Sequence, residues 1–265
     1  MTVQTGRPAM STMSSLTRSV RWRLMALRRA LGYSANPVVH GVEVPIGVLP
    51  PGAELKHFDG GGYEAKEARF VARYLPAGVQ VVELGASLGV ISQVILNTRP
   101  RRLVSVEAFA ELADRAREVV RLNNGGQLPA HWTLLVKAIG YQGAEVRARF
   151  KPEDNTSGKV DLSGDDGDGE VRVIPSCTLS GIVDLLSPAD GDAWLVCDIE
   201  GMEAQMAERD PDALRRFAGI IIETHDVVGE DGVRLGHDEV LKRVAHCGFD
   251  VVDRHGRVAC LVRKR

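Results

Sequence analysis

Val81-Val82-Glu83-Leu84-Gly85-Ala86-Ser87-Leu88-Gly89 is the stretch that decides the fold. A short, largely apolar run without alternation, closed by turn residues, reads as a strand buried on both faces. Helical spacing follows from Gly89 to Asn97. Glycines in such a turn let a ligand approach the backbone, and the helix start offers free N–H groups.

The same unit recurs on either side. Ala65, Ala68, Val71 and Tyr74 predict a helix before the first strand, stopped at Pro76-Ala77-Gly78. Leu103–Val106 reads as a second strand, Ala108–Leu122 as its helix and Trp132–Ala138 as a third strand. Leu179–Leu186 reads as a short helix, Ala193–Cys197 as a strand, Gly201–Phe217 as mostly helix, and Gly219–Ile222 as a strand. His237–Cys247 is helical, and Phe249–Asp253 with Val258–Val262 flank Arg254-His255-Gly256-Arg257 as a closing hairpin. Alternation of this kind predicts an α/β fold: a doubly wound, mostly parallel sheet of seven strands with a C-terminal antiparallel hairpin. Residues 141–175 interrupt the rhythm with polar, Gly- and Asp-rich sequence and predict a β-hairpin excursion. Its Asp165-Asp166-Gly167-Asp168-Gly169-Glu170 lacks EF-hand spacing and reads as a solvated tip. Upstream, the alternation of Val42–Val48 predicts a short strand.

Two segments follow from charge. Residues 1–42 hold six arginines and no acid, although the 265-residue chain carries a net charge of −2. Val20, Leu24, Leu27 and Leu31 recur there at helical spacing. The organisation expected is a basic tail and amphipathic helical arm over 1–40, then a ligand-binding domain over 41–265. Three readings of the arm stand: packing on its own domain or a second copy in a homodimer, peripheral contact with a membrane surface, or a transit peptide. Apolar helical stripes usually end in cores, which favours packing.

Composition narrows the function. A slightly negative chain with 5% aromatic residues does not suit nucleic acid. No apolar run approaches the ~18 residues of a spanning helix. Cys177, Cys197, Cys247 and Cys260 form no CxxC pair and read as free thiols of a reducing, cytoplasmic compartment.

A dinucleotide site wants glycine where this chain has Glu83. A carboxylate repels a pyrophosphate but attracts an ammonium or sulfonium group, so the ligand expected is a cationic nucleoside, and S-adenosylmethionine fits. Glu107, at the end of the second strand, stands where an acid receives both ribose hydroxyls.

At this point the chain resembles a known family. Glu83-Leu84-Gly85-Ala86-Ser87-Leu88-Gly89 and Val106-Glu107-Ala108-Phe109 look like the class I S-adenosylmethionine-dependent methyltransferases. Gly62-Tyr63-Glu64, Cys197-Asp198-Ile199-Glu200-Gly201-Met202-Glu203 and Ile221-Ile222-Glu223-Thr224-His225 make residues 40–262 similar to the FkbM-type members, with their Tyr-Glu, Asp-x-Glu-Gly-x-Glu and Glu-x-His pattern. Cys197 departs from it where the family often has Lys. The resemblance implies strand order 3-2-1-4-5-7-6 and O-methylation of a small molecule, a sugar, oligosaccharide, glycolipid or polyketide. It implies Tyr63 and Glu64 over the amino-acid end of the cofactor.

The cofactor set expected is therefore Tyr63, Glu64, Glu83, Gly85, Ala86, Ser87, Gly89, Glu107, Ala108, Phe109, Ala138 and Asp198, with Phe109 and Ile139 flanking the adenine. Asp198, Glu200, Glu223 and His225 come from ends of neighbouring strands and converge on the methyl acceptor. His225 is the first choice of general base because imidazole titrates near neutrality. Asp198 or Glu223 could raise its basicity or act in its place. An alternative is that the four hold a divalent cation such as Mg²⁺, which lowers the pKa of the acceptor hydroxyl. Glu203 reads as an acid at a helix start. Methylation of nitrogen or of a macromolecule, and a non-catalytic scaffold that only binds the nucleoside, are the competing functions.

Overall fold

The computed structural model describes residues 20, 23–24, 26–28, 30–31, 36–49, 55–150, 159–160, 170–187, 192–228 and 233–264. Its centre is a seven-stranded sheet made of β1 (Gln80–Leu84), β2 (Arg102–Glu107), β3 (Trp132–Val136), β4 (Ala193–Cys197), β5 (Phe217–Glu223), β6 (Phe249–His255) and β7 (Val258–Arg263). The spatial order is β6-β7-β5-β4-β1-β2-β3. Neighbours among β1 to β5 are parallel, and β7 joins β5 antiparallel and carries β6 at the edge. This is the order the resemblance implies, read from either edge.

Register divides the side chains between two faces. Val82, Val104, Leu195, Ile220 and Leu261 align across the sheet and pack on one side. Val81, Leu103, Trp194, Ile221 and Cys260 pack on the other. Helices Ala65–Tyr74, Val90–Asn97 and Ala110–Asn123 cover the second face, and Leu179–Val183, Glu203–Arg209 and His237–His246 the first. Both faces of β1 and β4 are fully buried, which is why these strands are unbroken apolar runs. Gly219 matters here, since a Cβ there would lie 2.5 Å from the Trp194 ring.

Several boundaries differ from expectation. Only Val42–Glu43 is extended, paired with Val38–Val39, and Pro45 then leads into a 3₁₀ turn at Ile46–Val48. The helix expected over Gly201–Phe217 is two, Glu203–Arg209 and Pro211–Leu214, because Pro211 cannot donate a helical hydrogen bond and starts a new helix instead. The third strand ends at Val136; the Lys137 N–H makes the last bond of the ladder with β2, to the Glu107 carbonyl at 2.9 Å, and Ala138–Ile139 pairs instead with Ser176–Cys177. The excursion is an antiparallel pair, Glu145–Phe150 with Glu170–Cys177. Its acidic tip, residues 165–169, lies outside the described residues, as does the tail over 1–19. The described part of the arm is helical, but Val20, Leu24, Leu27 and Leu31 are 52–65% exposed, so the stripe does not pack on its own domain there. Among the described residues no helix is long and apolar enough to cross a membrane. All four cysteines are free, three of them buried.

Candidate active site

The carboxyl ends of β1 to β4 open on one side of the sheet into a cleft. At its floor β1 meets β4. The Asp198 N–H donates to the Leu84 carbonyl at 2.9 Å, and a Cβ at Gly85 would stand 1.8 Å from the Asp198 carbonyl oxygen. Glycine at 85, with φ of 87°, is thus required by the approach of two strand ends. Gly89 has a different reason: a Cβ there would lie 2.7 Å from the Ala116 Cα, so it lets two helices cross. Ala86 is buried, its N–H held by the Val106 carbonyl. Neither Ala86 nor Gly89 is among the residues that line the cleft.

Glu107 ends β2 at the cleft rim. Its carboxylate accepts the Ser87 N–H at 2.8 Å and the Phe109 N–H at 3.0 Å. Burial pushes its pKa up, and these N–H donors work against the shift. Across the cleft stand Leu112, Ala138 and Ile139, an apolar wall of which Ala138 and Ile139 were expected and Leu112 was not. Phe109 is not part of it. Its ring is buried against Phe150, with centroids 4.7 Å apart, and it serves the site through its N–H alone. Lys137 also lines the cleft, a residue whose strand-end position was visible but whose role was not inferred.

Tyr63, Glu64 and Ser87 close the cleft near Gly85. The Tyr63 hydroxyl and Ser87 Oγ are 3.2 Å apart, and the Tyr63 ring stacks on Phe58. Glu64 and Ser87 hold left-handed backbone, φ 47° and 46°, as does Glu200 at 52°. Side chains rarely adopt this region, and such positions collect at ligand sites. Burial drives the Glu64 carboxyl well above its ordinary pKa, and the charges of Glu67 and Asp198 add to it. Burial likewise drives Tyr63 well up, with Glu64 adding to it.

Glu83 does not line the large cleft. It faces an adjoining cavity that it shares with Glu64, Glu67, Asp198 and Glu223. Its Oε2 accepts the hydroxyls of Ser92 and Ser105, and Ser105 in turn accepts the Trp132 indole N–H at 2.9 Å. Its Oε1 is buried and has no hydrogen-bond partner. Burial pushes Glu83 up to about 7, the two serine hydroxyls notwithstanding.

Beyond Gly85 the ends of β4 and β5 meet. His225 Nδ1 lies 2.8 Å from Glu203 Oε1, and Nε2 lies 3.6 Å from both Asp198 Oδ1 and Glu200 Oε2. Glu203 is fully buried. Asp198, Glu203 and His225 each offer a metal-ligating atom within 4.8 Å of the others. Burial disfavours a charged His225, but the bond to Glu203 and the charges of Glu203, Asp198 and Glu200 outweigh it and push the imidazole up to about 9. Burial raises Asp198 to about 7, opposed by His225. Glu223 sits in the smaller cavity with Glu67; burial, and a hydrogen bond that the protonated Glu223 donates to that neighbouring carboxyl, raise it to about 7.

Two residues of this centre were missed. Glu203 reads as a helix-start acid, and nothing in the local pattern reveals that it turns inward to His225. Glu67 has the only available signal, since it follows Glu64 by three residues on one helix face.

No protein-family model matches the chain, and neither does any curated protein. Solved structures do. The ribosomal protein L11 methylase of Lactobacillus delbrueckii subsp. bulgaricus is 12% identical, with 77% of this chain and 79% of that one covered at a TM-score of 0.44. Magnesium protoporphyrin IX methyltransferase from Synechocystis PCC 6803, solved with bound SAM, is 11% identical over 76% and 77% of the two chains at 0.40. EvdMO1 is 16% identical over 96% of this chain and 50% of that one at 0.43. Likenesses of this size say nothing of substrate. The chemistry has to be read from the cleft itself.

Proposed function

We propose that the chain is an S-adenosylmethionine-dependent methyltransferase that methylates a hydroxyl of a small molecule, a sugar, oligosaccharide or glycolipid. The observation that carries this reading is Glu107. Its carboxylate is fixed by two backbone N–H groups at the end of β2, over an apolar wall of Leu112, Ala138 and Ile139. A carboxylate so fixed keeps lone pairs for two ribose hydroxyls, and the wall suits an adenine. The fit continues at the other end of the cleft. Glu64, which lines that end, has a buried oxygen without a hydrogen-bond partner, a setting for a cation and not for a phosphate.

When bound, the cofactor supplies a methyl group on a positively charged sulfur. The chain's own work is to hold the acceptor oxygen in line with that group and to take its proton. Asp198, Glu200, Glu223 and His225 lie at the ends of β4 and β5, beside the cationic end of the cofactor. The carboxylates of Asp198 and Glu223 have the lone pairs to receive the proton as the new oxygen–carbon bond forms. A non-catalytic scaffold would need only the Glu107 end, and the second cluster supports turnover.

Titration calorimetry of the purified chain with S-adenosylmethionine and with S-adenosylhomocysteine tests the cofactor. Saturable one-to-one binding is expected; uptake of a pyridine dinucleotide with neither nucleoside bound would overturn the proposal. Mass spectrometry of cell extract incubated with a labelled methyl donor then reads the acceptor.

A further inference from the structure

We propose that His225, Asp198 and Glu200 form a binding site for one divalent cation of the Mg²⁺ or Mn²⁺ class, with Glu203 orienting the imidazole from behind. Only what the cation does in turnover rests on the methyltransferase reading; the binding itself is read from geometry.

The contact of His225 Nδ1 with Glu203 Oε1 at 2.8 Å puts the ring proton on Nδ1 and turns the Nε2 lone pair outward. Histidine ligands of metals are commonly held this way, with a carboxylate on the far nitrogen. Nε2 then faces Asp198 Oδ1 and Glu200 Oε2, each at 3.6 Å. That is too long for hydrogen bonds. Two ligands about 2.1 Å from one octahedral ion stand about 3 Å apart when adjacent and about 4 Å when opposite. The observed separation falls between, where a shared cation would bring the three atoms together.

A second observation is independent of the spacing. Asp198 Oδ1, the atom that faces Nε2, is buried without a hydrogen-bond partner. The same holds for Oε2 of Glu203, whose side chain is 0% exposed. Buried carboxylate oxygens left bare are costly, and such groups pair with cations or coordinate metals. Two carboxylates and one imidazole suit Mn²⁺ and Mg²⁺ better than the soft metals that prefer thiolate. Cys197, the nearest thiol along the chain, is buried within β4 and packs in the core. The set differs from the one expected from sequence: Glu223 belongs with Glu67 in the smaller cavity, and Glu203 takes a place behind the histidine. With the cation bound, Asp198 is a ligand and Glu223 is the carboxylate left to take the acceptor's proton. The cation replaces the proton on Nε2 and lowers the pKa of a hydroxyl held beside it.

The test uses the full chain, stripped with EDTA, dialysed and titrated with MnCl₂ while free Mn²⁺ is read by electron paramagnetic resonance. One bound Mn²⁺ per chain is expected, displaced by excess Mg²⁺. Asp198→Asn and Glu200→Gln each weaken binding at least about tenfold, and Glu203→Gln weakens it by about 10–100-fold. Spin-echo modulation of the bound Mn²⁺ in the unmutated chain shows coupling to an imidazole nitrogen, so His225 is tested without a variant that might misfold. Absence of stoichiometric binding, absence of nitrogen coupling, or indifference to Asp198→Asn and Glu200→Gln overturns the site. S-adenosylhomocysteine binding in EDTA is measured separately. A chain that takes the nucleoside but no Mn²⁺ loses this site alone; one that takes Mn²⁺ but no nucleoside loses the methyltransferase reading alone.

Discussion

At the scale of single residues, two glutamates at neighbouring strand positions do unlike work. Glu107 is anchored by main-chain donors and keeps lone pairs toward the cleft, so its loss should act on binding. Glu107→Ala is expected to weaken S-adenosylhomocysteine binding by about 1–3 kcal/mol, the worth of hydrogen bonds to a charged group. Calorimetry checks it, and unchanged affinity would remove Glu107 from the ribose role. Glu83 is anchored by serines in the interior, and its loss should act on stability. Its pKa in the fold, about 7, lies above the ordinary glutamate value of 4.5. Between those values the folded state binds more protons than the unfolded one, so rising pH through this window removes stability. Up to about 3 kcal/mol is at stake at 1.36 kcal/mol per pKa unit. Urea unfolding at pH 5 and pH 8 should show Glu83→Gln flattening this loss; an equal pH dependence in both proteins would contradict it. Both acids were visible as charges at strand ends. Which of them faces the cleft was not, because alternation places Glu83 with Val81 on the face under the helices Ala65–Tyr74 and Val90–Asn97, and a serine pair then holds it there.

At the scale of elements, legibility followed burial. The strands β1, β4 and β5 were readable because burial on both faces requires continuous apolar runs. Their helices were readable from the apolar stripe that must meet the sheet. What failed to show was where an element stops for a tertiary reason. The third strand leaves the central sheet after Val136 because Ala138–Ile139 pairs with Ser176–Cys177, and Pro211 divides a helix whose apolar spacing continues across it. Glu203 and Glu67 were obscure for the same reason: helical period assigns a face, and only the packed fold reveals which strand end that face meets. The β1 turn makes the point testable. Gly85→Ala places a methyl group 1.8 Å from the Asp198 carbonyl at a φ of 87°. Strain and overpacking together should cost roughly 2–5 kcal/mol and push β4 away from the cleft. Gly47→Ala, with nothing within 4 Å of its Cβ, should change stability by less than about 0.5 kcal/mol. Denaturant midpoints of the two variants separate these outcomes, and similar midpoints would mean that the strand ends can part freely.

At the scale of the whole molecule, charge and packing are segregated. Six arginines and no acids occupy residues 1–42, which leaves a net charge of −8 on the rest of a chain whose total is −2. The seven-stranded sheet closes its own core: β1 and β4 at its centre are buried on both faces, and Val20, Leu24, Leu27 and Leu31 of the arm are exposed. An amphipathic pattern therefore identified a helix, but could not say whether its stripe meets the domain. If the domain is complete without the arm, a chain lacking residues 1–35 should keep its melting temperature within about 2–4 °C, the shift expected of 1 kcal/mol in a chain this size. It should also keep full-strength S-adenosylhomocysteine binding, because Glu107, Glu64 and Asp198 are set by β2, β4 and the helix start at Ala65. Circular dichroism melts and calorimetry on the truncated chain check both. A fall of ten degrees or more, or loss of the nucleoside, would mean that the basic segment is part of the core after all, and that its exposed leucines are covered by the domain in solution.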